Sequence, residues 1–318
     1  MSEQSEQPFR ILSFDGGGIR GLYSAAFIAH LEKYTGSRLA DYFDLIVGTS
    51  TGAIIALGLA AGLTAEEILA FYEREGPRIF RRKRRLTQVF RPMYSNQPLL
   101  SALQEVFGDR TLNDLDVPVC IAAYELVEAT PRVIKSDHSH DLHWGGDRAI
   151  WRVAAASAAA PMFFPPVTVD RDDYHIDGGI WANNPVLIGI TEAMTRFGKA
   201  QNDLLVLSVG TCSRPPRLRV RRWHTWGWTT WLWKKRVLEA VFSAQSQSAS
   251  GVATLMLKDR HRRVDGQLDA NIPMDDYGLS RHLIERGSQA GREHLNLVRD
   301  TFLAAPAVRE WNSSESAE

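Results

Sequence analysis

The chain has 318 residues, 44% of them hydrophobic and 23% charged, a make-up that suits one large α/β domain or two small ones with a substantial core. Lys plus Arg number 37 and Asp plus Glu number 37, which excludes an overall field that would draw in nucleic acid or a membrane and leaves only local attraction. The two cysteines, Cys120 and Cys212, argue against a disulfide framework and fit a reducing cytosol. The N-terminal "MSEQSEQPFR" lacks the apolar core of a signal peptide. The longest apolar run, "AIIALGLAAGL" (53–63), is shorter than the roughly 20 residues that span a bilayer and reads as a buried helix.

In chain order, "FRILSF" (9–14) is predicted as a strand. "LYSAAFIAHLEKYTG" is predicted as a helix with Phe27, Leu31 and Tyr34 on one face and Gly36 as its stop. "FDLIV" (43–47) is a second buried strand, followed by "GTSTG" and the apolar helix. Thr64 and Glu67 have the spacing of a capping box. The basic stretch 77–92 is expected as a mobile loop or an exposed helix. "VPVCIAAYEL" (117–126) is a strand, and "RAIWRVAAASAAAP" (148–161) a helix ended by Pro161. "DYHIDGG" (173–179) is a short strand into a glycine turn, 185–198 a helix and "LLVLSVGT" (204–211) a further buried strand. The last third is less regular, with a Trp-rich stretch (223–233) and a helix near 279–303. Alternating buried strands and helices predict a three-layer α/β/α fold on a mostly parallel sheet. Ligands of such sheets sit beyond the carboxyl ends of the strands, and 15–21, 48–52 and 177–179 are all expected there.

"DGGGIRG" (15–21) formally meets the G-x-G-x-x-G pattern between a strand and a helix. A pyrophosphate there would meet the charge of Asp15, and no ribose-binding acid ends the next strand. No Lys-Ser/Thr follows to make a Walker loop. "GTSTG" is a G-x-S-x-G nucleophile elbow that lifts Ser50 at the start of a helix, flanked by Gly48 and Gly52. The N–H groups of Gly16, Gly17 and Gly18 can then stabilise an oxyanion, a contribution of several kcal/mol for preorganised donors. The base is either a downstream histidine (His224, His261, His282 or His294) or Asp177. None of the histidines sits in a glycine-rich strand-end turn. Asp177 ends an apolar strand in "DGG", where partial burial would raise its pKa into a useful range.

With "DGGGIRG", "GTSTG", "ASAAAPMFFPP" (156–166) and "DGGIWANNP" (177–185) in this order, residues 9–212 resemble the patatin-like phospholipases. The resemblance implies a Ser50–Asp177 dyad and an acyl-serine intermediate, with no metal or other cofactor. It implies oxyanion N–H groups from Gly16, Gly17 and Gly18, a loop held by Arg20, and supporting roles for Gly21, Gly48, Gly52, Gly178 and Gly179. The organisation expected is a flexible stretch 1–8, a catalytic core 9–212, an extension of the same domain over 213–303, and a disordered tail 304–318.

"RRWHTWGWTTWLWKKR" (221–236) holds five of the nine tryptophans among basic residues, the composition of a membrane-interface segment or of a helix packed on the sheet or a dimer interface. The clusters "RRKRR" (81–85) and "RLRVRR" (217–222) read as solvated faces or as contacts to anionic headgroups. The region after "SVGT" and the ending "MDDYGLSRHLIERGSQ" resemble a bacterial branch whose members are effectors of cyclic-oligonucleotide antiphage signalling (CBASS). That resemblance implies a cyclic dinucleotide activator made by a nucleotidyltransferase, a cytoplasmic protein acting at the inner face of the membrane on phospholipids, and homo-oligomerisation as a possibility. It gives no role to DNA or RNA. No motif marks the activator's pocket; Arg81 to Arg85 are candidates for its phosphates. A constitutive lipid hydrolase in lipid turnover or toxicity stays open, as does a nucleotide-binding module with an inert serine.

Overall fold

The structure is a computed structural model, and it describes residues 7–81, 92–139, 146–212, 236–266 and 273–309. The Trp-rich stretch, the cluster 217–222, residues 82–85 and the end of the tail lie outside the described residues.

The elements in chain order are β1 (Phe9–Phe14), α1 (Gly21–Thr35), β2 (Leu45–Thr49), α2 (Thr51–Ala60), α3 (Ala65–Ile79) and α4 (Gln97–Phe107). There follow β3 (Val119–Glu125), β4 (Thr130–Lys135), α5 (Ile150–Ser157), β5 (His175–Asp177), α6 (Gly179–Ala182) and α7 (Val186–Thr195). Last come β6 (Leu204–Val209), α8 (Arg236–Leu257), β7 (His261–Val264) and α9 (Ser280–Phe302). The described residues form one seven-stranded sheet in the order β4-β3-β2-β1-β6-β7, with β5 paired to β3 off that path. The neighbours from β3 to β7 run parallel, while β4 and β5 are antiparallel to β3.

Helices cover both faces, which is why the central strands read as continuous apolar runs rather than as alternating ones. Along β1, Leu12 and Phe14 face the larger core under α1 to α5 and α9, whereas Phe9 and Ile11 face the smaller core under α7 and α8. The pattern is the three-layer α/β/α architecture expected from the sequence.

Local chemistry sets the helix ends. Gly36 adopts φ 67° and donates to the Glu32 carbonyl, which closes α1. Thr64 and Glu67 form both arms of the capping box that starts α3. The differences from expectation have physical reasons. Tyr34 is 61% exposed because α1 is buried nearly all round only up to Leu31, between the sheet and α9. α5 stops at Ser157, before Pro161, because the chain turns there to bring Ser157 under the elbow. The basic stretch begins as helix, since α3 carries Pro77 and runs to Ile79.

The third glycine turn also arrives differently. β5 is antiparallel, so it approaches from beyond the carboxyl end of the sheet. β2 stops at Thr49 opposite Ala122, and β5 stops at Asp177 opposite Ala123. Because β4 occupies the other edge of β3, β2 and β5 share one lane beside it and meet tip to tip. Consecutive rungs of β3 therefore place the turn after Thr49 against the end of β5.

Candidate active site

Ser50 occupies the turn between β2 and α2 at φ 54° and ψ −122°, a conformation L-residues rarely adopt and the strained geometry of a nucleophile elbow. Its N–H donates to Ser157 Oγ (2.8 Å), and that hydroxyl donates to the Ala122 carbonyl (2.6 Å). The Thr49 hydroxyl donates to the Ala182 carbonyl (2.6 Å). The turn is thus tied to β3, α5 and α6 at once. A Cβ on Gly52 would overlap the Phe14 carbonyl and one on Gly48 the Gly52 carbonyl, so only glycines fit around this serine.

Asp177 is fully buried. Its Oδ1 accepts the Gly179 N–H (2.7 Å), and the Ser50 hydroxyl lies near enough to favour the carboxylate. Burial outweighs both and pushes the carboxyl up to about 7. Oδ2 receives no hydrogen bond of ordinary geometry. Gly178 lies against the Ala122 backbone, and a Cβ on Gly179 would sit 2.9 Å from Phe242 Cζ.

The glycine loop touches the same centre. A Cβ on Gly16 would lie 2.5 Å from Asn183 Oδ1 and 3.3 Å from Ser50 Cβ. Gly18 has φ +59°, beside the Met274 carbonyl. The Gly16 N–H donates to the Asn183 carbonyl (2.8 Å), so in this conformation the expected set of three oxyanion donors is reduced to Gly17 and Gly18. Arg20 Nε donates to the Gly17 carbonyl (3.3 Å), and Gly21 packs against Thr51.

Asp15 is bound by Arg263 through two nitrogens, each 2.7 Å from a carboxylate oxygen. Burial still pushes it up to about 6, against the pull of Arg263. Ser246 on α8 donates to Asp15 (3.2 Å) and accepts from Asn183 Nδ2 (2.8 Å); Thr211 donates to the Gly16 carbonyl (3.1 Å).

Ser50, Asp177 and Gly18 line one cavity, whose other walls include Ile54, Phe71, Tyr72, Leu99, Phe163, Phe164, Phe242 and Met274. No Arg or Lys lines it, among the described residues. Arg263 partners Asp15, so charge repulsion by that aspartate is not what argues against a nucleotide in the loop. The apolar walls are. Among the described residues no histidine lines the cavity either, His282 on α9 included: His261 bonds Thr254, and His294 bonds the Ala290 carbonyl. Both lie elsewhere in the fold, and His224 falls outside the described residues.

Sequence reasoning passed over Ser157, Asn183, Thr211, Ser246, Arg263 and Met274. Ser157, Asn183, Thr211 and Met274 stood inside quoted stretches without being given a role, whereas Ser246 and Arg263 stood in none. A separate buried group, Cys120, His138 and Glu192, brings ligand-type atoms within 4.8 Å of one another on the α7 face of the sheet. Both Glu192 oxygens are engaged there, by Lys135 (2.6 Å) and His138 (2.9 Å), and the Lys135 ammonium disfavours a cation.

A serine on a strained strand–helix turn, beside a carboxylate and over an apolar cavity, has the architecture of a lipid acyl hydrolase. Residues 12–190 match the family model described as patatin-like phospholipase, and the chain belongs to that family. It is 37% identical over 235 residues to a cGAMP-activated phospholipase of Vibrio cholerae, covering 66% of each chain. It is 31% identical to a cGAMP-activated phospholipase of Pseudomonas aeruginosa, over 90% of this chain and 89% of that one. A cUMP-AMP-activated phospholipase of Escherichia coli is 30% identical over 79% of this chain and 78% of its own.

Proposed function

We propose that this protein is a phospholipase that works through Ser50 and Asp177 and is switched on by a cyclic dinucleotide. The observation that carries the chemistry is the meeting of β2 and β5 in one lane, which sets an elbow serine against a buried carboxyl whose pKa is about 7. In acylation, Asp177 takes the Ser50 proton as Oγ attacks the ester carbonyl. The N–H groups of Gly17 and Gly18 receive the oxyanion, and the alcohol leaves with the proton from Asp177. Water then attacks the acyl-serine as Asp177 accepts its proton, and Asp177 returns that proton to Ser50 Oγ as the fatty acid leaves. A pKa near 7 lets one carboxyl act as base and then as acid at neutral pH. The apolar cavity houses the acyl chain, so the substrate class is a long-chain acyl ester presented by a phospholipid surface.

The names of the three relatives support a cyclic dinucleotide as the switch, and the resemblance of the chain's last third to antiphage effectors adds a role in that signalling. None of the described helices is long and apolar enough to cross a membrane. The test is hydrolysis of fluorescent phospholipid vesicles with and without a panel of cyclic dinucleotides that includes cGAMP and cUMP-AMP. The expected result is hydrolysis that depends on one member of the panel and is abolished in Ser50→Ala. Equal activity with and without every nucleotide would overturn the switch, and full activity in Ser50→Ala would overturn the nucleophile. A fluorophosphonate probe reports the same serine directly.

A further inference from the structure

A second cavity adjoins the first. Ile54 and Phe71 line both, so their side chains form the partition between them. The far side is walled by Leu63, Ile68, Leu103 and Phe107, with the exposed Glu67 and Arg74 also lining it.

The two cavities follow one helix face. Ser50, Ile54 and Gly58 recur at four-residue intervals and stack along α2, and the Ile54 N–H bonds the Ser50 carbonyl (3.3 Å). Ser50 and Ile54 line the first cavity; Ile54 and Gly58 line the second. Gly58 contributes no side chain, and a Cβ there would come within 3.0 Å of Ile68 Cδ1. Between the nucleophile and the second cavity, this stripe therefore carries one side chain, Ile54.

We infer that Ile54, backed by Phe71, is the residue that sets acyl-chain length, and that the second cavity is the continuation an acyl chain enters when Ile54 is trimmed. This rests on the acyl-hydrolase reading. The occupant is the methyl-terminal part of the acyl chain attached to Ser50. The apolar walls and the unbroken stripe from the nucleophile favour it over a separate ligand.

The test is the chain-length profile of kcat/KM on single-chain p-nitrophenyl esters from C4 to C18, measured on the full chain with its activating nucleotide. Such esters have no second acyl chain to occupy the far cavity. The wild type is expected to lose activity beyond the length that fills the first cavity. Ile54→Ala is expected to raise the long-to-short ratio by roughly tenfold or more, since each methylene newly housed contributes roughly fourfold. Ile54→Val, which perturbs the core less, should move the ratio the same way by a smaller factor. Gly58→Leu placed on Ile54→Ala fills the second cavity and should restore the wild-type profile. The ratio is read within each variant, so a fall in total folded protein does not move it. A profile unchanged in both Ile54 variants, or a shift in Ile54→Ala that Gly58→Leu leaves intact, would overturn the inference. Failure of the wild type to cleave any ester with any nucleotide would overturn the acyl-hydrolase reading instead.

Discussion

The two walls of the cleft are built by different parts of the chain. The Ser50 wall is held from within the family match: Ser157, Ala122 and Ala182 bond the elbow, and the Phe14 carbonyl packs on Gly52. The glycine loop is also bonded to Asn183 and to its own Arg20, but four further supports lie beyond residue 190. They are Thr211, Ser246, Arg263 and Met274. The proposed nucleophile is thus fixed by the sheet, whereas the loop N–H groups proposed to meet the oxyanion are held largely by residues after 210. Phe242 and Ser246 lie on α8, the helix that follows the Trp-rich stretch, and both touch the site.

Four experiments break or sharpen this contrast. The largest effect is expected from the chemistry itself: Ser50→Ala and Asp177→Asn should each lower kcat by roughly 10⁴-fold or more. Stopped assays on saturating phospholipid measure it, and a loss under tenfold in either would remove that residue from the mechanism.

Next comes Arg263→Ala. It strands Asp15 in the interior, which should cost about 3 kcal/mol of stability, and it should lower kcat roughly 10- to 100-fold by loosening the loop. Ser157→Ala, on the other wall, should cost about 1–3 kcal/mol, because the Ser50 N–H loses its acceptor. Denaturant melts and kcat measured side by side decide the matter. The contrast fails if Arg263→Ala leaves kcat untouched in folded protein.

The third concerns pH. Asp177 must be charged to accept the serine proton, so kcat/KM should fall about tenfold per unit as pH drops below 7. Its stability effect has the opposite sense. A carboxyl raised from 3.8 to about 7 on folding binds more protons in the folded state, so stability declines as pH rises between those values. Asp177→Asn should therefore be more stable than wild type at pH 8, by up to about 4 kcal/mol, with the gain vanishing near pH 4. Thermal melts at the two pH values read it; equal gains at both would contradict burial as the cause.

The smallest effect belongs to a site remote from both walls. Thr64→Ala removes the α3 cap and should cost about 1 kcal/mol with no change in kcat.

Much of this was legible in the sequence. Strands β1, β2, β3 and β6 are long apolar runs, the elbow has its own spacing, and the α3 cap is a four-residue signature. What escaped was short or tertiary. β4 is an edge strand with exposed positions, and "HRRV" of β7 is four residues with charge at its centre. The long helix α8 begins where the Trp-rich stretch obscures any periodicity. Arg263 acts on Asp15 across 248 positions, a relation no local pattern can carry. The antiparallel sense of β5 depends on how the long segment after β4 returns, and that was equally invisible.

The shared lane beside β3 makes the separation of Ser50 and Asp177 a matter of backbone arithmetic. β3 acts as a ruler graduated in residues, with Ala122 and Ala123 as adjacent marks. Extra residues in the exposed turn Asp170–Asp172, ahead of β5, leave both readings and the Ser157 anchor unchanged, so lengthening there is tolerated. One residue inserted within Leu45–Thr49 or His175–Asp177 slips a side chain to the opposite face of the sheet. Indels in these two short spans should therefore silence the protein, and indels in the turn Asp170–Asp172 should not.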